Sequence, residues 1–138
     1  LHLPVCVSAA LVAMAAQLIQ DDLTLTRRVG QSVSFSCQQI DQCSSDYVFW
    51  YQKKETETFR LILRIDKSNG KIYSGYNHPQ RDDFSAVNKQ NGCELKIENV
   101  KLQHSATYYC YCWTGSHIIE KKNVLSVNKV MSVRKICV

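Results

Sequence analysis

The side chains in this 138-residue sequence that could do chemistry are seven cysteines, four histidines and the adjacent carboxylates Asp82 and Asp83. Catalysis needs a nucleophile beside a base, paired carboxylates, or a cluster of metal ligands. The histidines do not supply it. His2 lies in an apolar leader, His78 precedes Pro79 in a loop, His104 stands at a corner between strands, and His117 falls in the C-terminal stretch. No glycine-rich phosphate loop and no His-Glu-x-x-His helix occurs, and Asp82-Asp83 reads as the solvated entry to a strand. No catalytic constellation results, and no cofactor is called for. What the cysteines can do is cross-link: seven in so short a chain point to disulfides made in an oxidising compartment.

The chain length suits one domain with tails. The net charge is +5, with lysines and arginines scattered between strands rather than gathered into a stripe, so nucleic-acid binding is not expected. Residues 1–16 read as a truncated secretory signal. Val5 to Ala16 is apolar, Ala13-Met14-Ala15 fits the small-residue cleavage pattern, and the run is too short to span a membrane comfortably. Cys6 would leave with it.

The elements that must position the remaining cysteines are strands. Leu23 and Leu25, then Val33, Phe35 and Cys37, alternate with polar residues, the period of a half-buried strand, with Gly30-Gln31-Ser32 as a turn between them. Residues 38–47 are polar and aperiodic, a loop. Val48 to Lys53 and Phe59 to Ile65 follow as strands, then Asp66 to Lys71 as a tight turn with Asn-Gly chemistry. A strand starts near Phe84, and another runs from Cys93 to Ile97 with Cys93, Leu95 and Ile97 facing in. Leu102 to Ser105 makes a corner, and a strand ends at Cys110. Beyond Cys112, Val124, Val127 and Val130 recur at a spacing that suits neither strand nor helix; a last strand is expected from Asn123 to Val133. Many short strands separated by turns indicate an all-β sandwich.

Two blocks, Trp50-Tyr51-Gln52-Lys53 and His104-Ser105-Ala106-Thr107-Tyr108-Tyr109-Cys110, resemble an antigen-receptor variable domain of the immunoglobulin superfamily, in the flavour of a T-cell receptor variable segment of gamma type. The likeness covers Leu23 to Cys112. It implies an immunoglobulin V-type, two-sheet antiparallel Greek-key sandwich over residues 17–116, with 117–138 as an atypical tail, either read-through or a final strand. It implies an inter-sheet bridge from Cys37 to Cys110, 73 positions apart, with Trp50 packed on it and Tyr108 as the corner tyrosine. It implies binding without catalysis through three loops at 38–47, 66–74 and 111–117, with Tyr47, Tyr73, Tyr76, Tyr111 and Trp113 as aromatic contacts. A pairing face for a second V-type chain would hold Tyr51, Lys53, Phe59, Leu61 and Tyr109. The partners are that second chain, as a heterodimer, and a protein or peptide antigen. The location is the secretory pathway, then the cell surface or the medium, with any membrane anchor in segments outside this sequence. A non-rearranging innate receptor binding through the sheet face is the alternative.

The sequence departs from the family pattern in four ways. Asp83 and His104 replace an Arg–Asp pair with the signs exchanged, and a carboxylate there would favour the protonated histidine. Lys53 stands where a glutamine usually bridges the two chains. No Phe-Gly-x-Gly joining motif follows Cys112. Two further cysteines, Cys43 and Cys93, are expected to bridge, tying the first loop to the framework; Cys43 to Cys112 is the other pairing, and free thiols are the remaining reading. With Cys110 committed to the core bridge, Cys110-Tyr111-Cys112 is not expected to hold zinc.

Overall fold

The computed structural model describes residues 23–129; the leader and Cys137 lie outside them. Within them, nine strands form two sheets. A six-stranded sheet runs β1 (Leu23–Arg28), β9 (Ile118–Asn128), β8 (Ala106–Trp113), β3 (Tyr47–Lys53), β4 (Phe59–Asp66), β5 (Ile72–Tyr73). A three-stranded sheet runs β2 (Val33–Gln38), β7 (Gly92–Ile97), β6 (Phe84–Lys89). All pairings among these strands are antiparallel except β1 on β9. The β-branched and aromatic alternation of β2, β3 and β7 buries every second residue, which packs the two inner faces together.

Cys37 on β2 is bonded to Cys110 on β8, with Cα atoms 6.2 Å apart, so one covalent tie crosses the sandwich. Trp50, fully buried, is the register partner of Cys110. Phe35 stacks on Tyr108 with ring centroids 4.7 Å apart. Because these side chains come from both sheets, the disulfide and the aromatic stack fix one inter-sheet distance together.

The last strand begins five residues before the expected Asn123, and residues 118–128 belong to the sandwich rather than to a tail. Its inward positions are Ile119, Lys121, Asn123, Leu125 and Val127, so the period-2 pattern exists but two polar residues hide it. Each finds a backbone acceptor, though the buried Asn123 Oδ1 has no partner of its own. Lys121 Nζ donates to the Ser36 carbonyl at 2.8 Å, and the buried Asn123 Nδ2 donates to the Tyr108 carbonyl at 3.4 Å. The strand is paired on both sides and buries Leu125 and Val127.

A polar chain runs under the core. Tyr108 donates its hydroxyl proton to the His104 carbonyl at 2.6 Å and accepts from Gln52 Nε2 at 3.0 Å. Gln52 Oε1 accepts from His78 Nε2 at 2.7 Å. His104 Nε2 donates to Asp83 at 2.9 Å, so the sign-exchanged pair is formed. The histidine is nevertheless not held protonated. Burial lowers its pKa and outweighs the carboxylate. The hydrogen bonds agree: the Lys101 backbone N–H donates to His104 Nδ1 at 2.8 Å, and the Gln80 N–H donates to His78 Nδ1 at 3.0 Å. Each ring therefore carries its single proton on Nε2, and a second proton would face a donor. Burial, followed by the charges of Arg60 and Lys54, lowers His78 as well.

Both histidines thus have folded pKa values below the unfolded value of about 6.5. Their contribution to stability is complete above that pH and is lost as pH falls through the folded values. Unfolding free energies from urea titrations at pH 8 to pH 4.5 are expected to hold steady down to about 6.5 and then fall, by at most about 1.4 kcal/mol per pH unit for each histidine. Tyr108→Phe, which leaves Gln52 and the His104 carbonyl short of a partner, is expected to cost about 1–3 kcal/mol in the same assay.

Candidate functional site

Three loops meet at one end of the sandwich: 39–46 between β2 and β3, 67–71 between β4 and β5, and 114–117 between β8 and β9. The first is drawn in by a 3-10 turn, Ile40–Gln42, that sinks Ile40 into the core. The second is closed by the Asp66 carboxylate, which accepts from the Ser68 N–H and hydroxyl and is held below its ordinary range by those bonds, and by Gly70 at φ 72°. The third is a four-residue turn in which the Thr114 N–H donates to the His117 carbonyl at 2.9 Å and Gly115 takes φ 100°.

Covalent and polar ties join the three. Cys43 is bonded to Cys112, with Cα atoms 5.8 Å apart, linking the first loop to the end of β8. The Ser44 N–H donates to the Trp113 carbonyl at 2.9 Å. Lys67 Nζ donates to the Ile40 and Cys43 carbonyls at 2.9 and 3.1 Å, while its N–H donates to the Asp46 carbonyl at 2.7 Å. This corrects the expected Cys43–Cys93 pairing. Cys93 faces into the sandwich, where its sulfur lies within 4.8 Å of those of Cys37 and Cys110, and it remains a buried free thiol. Cys112, two residues after Cys110, falls on the same inward side of β8 but at the loop end, within reach of Cys43. That i, i+2 spacing was the sequence signal for the pairing.

The outward face of the large sheet carries two groups of rings, set side by side where Tyr51 and Tyr109 are register partners. Phe49 lies 6.4 Å from both Tyr47 and Tyr51 and 5.9 Å from Tyr111, Tyr51 lies 5.3 Å from Tyr111, and Phe59 lies 5.1 Å from Tyr109. Burial, then the Tyr111 hydroxyl beside it, pushes Tyr51 up to about 12. Leu61 is half-buried on the same sheet, in register with Tyr51. Tyr111, expected in a loop, is instead paired with Phe49 in mid-strand, on the sheet face. Phe49 is the ring at the junction of these contacts, and its place two residues before Tyr51 was the signal for it. Tyr76 lies in the segment after β5, close enough to Tyr51 to act on its charge. Lys53 does not reach across the face: its Nζ turns back to the Lys54 and Glu57 carbonyls at 3.1 and 2.9 Å. Nearer the loops, the Arg64 guanidinium sits 4.6 Å from the Tyr47 ring centre and 4.4 Å from that of Tyr73, fixing both rings by cation–π contact. Trp113 is about half exposed at the tip of β8, in register with the exposed Ile118.

A sequence model of the immunoglobulin V-set domain matches residues 20–128. The chain belongs to the immunoglobulin V-set family. It is similar to a T-cell receptor gamma chain V region of Mus musculus, at 28% identity over 70% of this chain and 72% of that one. It is 32% identical to human T cell receptor beta variable 16 over 68% of this chain and 78% of that one, and 34% identical to the human probable non-functional immunoglobulin lambda variable 2-33 over 64% and 70%. A solved marsupial T cell receptor shares the fold at TM-score 0.70 and 23% identity, covering 82% of this chain. The V-set domain here spans about half the length of that receptor chain, 52%. It is an antigen-recognition type of domain, and among its described residues no helix is long and apolar enough to cross a membrane.

Removing the loop tie tests how far it organises this end. The double variant Cys43→Ser/Cys112→Ser is expected to fold but to lose about 2–4 kcal/mol of stability. Amide exchange should accelerate at 39–46 and 114–117 by local opening, while in β2 and β7 it should rise by no more than the global loss of stability allows.

Proposed function

We propose that this V-set domain is the variable domain of a T-cell-receptor-like immune receptor, which pairs with a second V-type chain through the outward face of its large sheet and binds a protein or peptide antigen through its three loops, without catalysis. The observation that carries this reading is the set of outward rings, Phe59 with Tyr109 and, beside Tyr109 in register, Tyr51 with Tyr111, Phe49 and Tyr47, which extends to the tied loop end. A contiguous apolar face on a sheet is a partner site. Tyr47, Tyr73 and Trp113 at its end, the first two steadied by Arg64, suit a paratope that uses rigid aromatic contacts. Because Lys53 is folded back, pairing would rest on ring packing rather than on the usual polar bridge across the interface. The domain would act in the secretory pathway and outside the cell, as receptors of this kind do.

The alternative is a non-rearranging innate receptor that binds its ligand through the sheet face. The unbroken β9 favours it: eleven residues form a strand with no glycine, where a joining segment would place its glycine bulge. The genomic sequence beyond the codon for Trp113 separates the two. Recombination signals there, with transcripts spliced to a Phe-Gly-x-Gly segment, establish the rearranging receptor. A transcript continuous through Val138 establishes the innate one.

Pairing and antigen contact are separable by substitution. Phe59→Arg is expected to leave folding intact and to abolish co-sedimentation with a second V-type domain. Trp113→Ala in the paired complex is expected to keep the complex and to weaken binding to a protein ligand selected from a displayed library by at least tenfold, the scale of an aromatic hot spot. Loss of ligand binding by monomeric Phe59→Arg, with Trp113→Ala unaffected, would move the ligand to the sheet face.

A further inference from the structure

Cys93 has no part in the reading above. It stands on β7 directly opposite Cys37 on β2, and both face inward. The strands run close at this point: a Cβ on Gly92 would come within 2.9 Å of the Cys37 carbonyl oxygen. Across the sandwich, Cys110 on β8 meets both of them, and the three sulfurs all lie within 4.8 Å of one another. With two of the three already bonded together, the cluster is not a set of metal ligands. It is a disulfide with a thiol beside it.

We infer that Cys110 has two bridging partners built into the fold: Cys37, to which it is bonded, and Cys93, whose thiol can take the place of Cys37. The step is an internal exchange. The Cys93 thiolate attacks Cys110 Sγ, a Cys93–Cys110 bond forms, and the Cys37–Cys110 bond breaks with its electron pair on Cys37 Sγ. Cys37 takes up the proton that Cys93 gave away. One disulfide and one thiol stand on each side, so no oxidant or reductant is consumed. The product still joins the two sheets, now from β7 instead of β2, whereas a Cys37–Cys93 bond would lie within one sheet and leave them unjoined.

The site is kinetically quiet at neutral pH because the attacking species is scarce. Burial, with a contribution from the neighbouring Glu94 carboxylate, pushes the Cys93 thiol up to about 11, while the Trp50 indole N–H turned towards the sulfur opposes this. That N–H has no conventional hydrogen-bond partner in the core, a thiol being only a weak acceptor. Below that pKa the thiolate fraction, and with it the exchange rate, rises about tenfold per pH unit.

The test is disulfide mapping by mass spectrometry on the full chain. Cys37→Ala, refolded in a glutathione redox buffer and blocked with N-ethylmaleimide in acid, is expected to yield a peptide linking Cys93 to Cys110. A folded variant with both of these thiols blocked would overturn the inference. Should this variant not fold, the wild type decides. Incubated at pH 9.5 and quenched in acid, it is expected to move the blocking label from Cys93 to Cys37 about a hundredfold faster than at pH 7.5, with no label at Cys37 in a Cys93→Ala control. Label that stays on Cys93, or that appears on Cys110 instead, would overturn it.

Discussion

The bond between Cys37 and Cys110 sets the spacing of the two sheets, and the rest of the molecule is arranged from β8 outward. Strand alternation gives that strand two jobs at once. Its inward residues, Tyr108, Cys110 and Cys112, anchor in turn the polar chain below the core, the bridge through it and the loop tie above it. Its outward residues, Tyr109, Tyr111 and Trp113, line the exposed face up to the loop end. A shift of one residue in the β3–β8 register would exchange the two sets, so the covalent tie at Cys110 also protects the chemistry of the outer surface.

Below the bridge the domain keeps polar groups in its interior, which is tolerable only when each finds a partner. His78, Gln52 and Tyr108 form one run of donors and acceptors ending on the His104 carbonyl, and the His104 ring continues it to Asp83. The chain has a direction. Two backbone N–H groups fix both imidazoles as Nε2–H tautomers, which in turn orients the Gln52 amide. Exchanging the signs of the usual Arg–Asp pair therefore did more than invert an ion pair. It replaced a permanent charge with a neutral donor that tolerates complete burial.

The fold was legible in the sequence because its strands alternate cleanly and because Cys37, Trp50, Tyr108 and Cys110 keep their spacing. β9 was not legible as a strand over its true span, since Lys121 and Asn123 occupy inward positions and their compensation by Ser36 and by the Tyr108 carbonyl depends on residues far away in sequence. The cysteine pairing was only half legible. Alternation along β8 put Cys112 beside Cys110 on one face, but whether Cys43 met Cys112 or Cys93 depended on how the loop between β2 and β3 turns back, and Ile40 pulling its 3-10 turn into the core settles that. The charge state of His104 turned on the balance of burial against a carboxylate, which no spacing encodes.

The ties among the loops bear on the thermodynamics of recognition. A loop cluster closed by a disulfide and by a lysine on two carbonyls has little backbone freedom left to lose, so the entropy of ordering falls on the ligand. On the proposed loop-binding function, such a surface would discriminate by shape and refuse ligands that need it to bend.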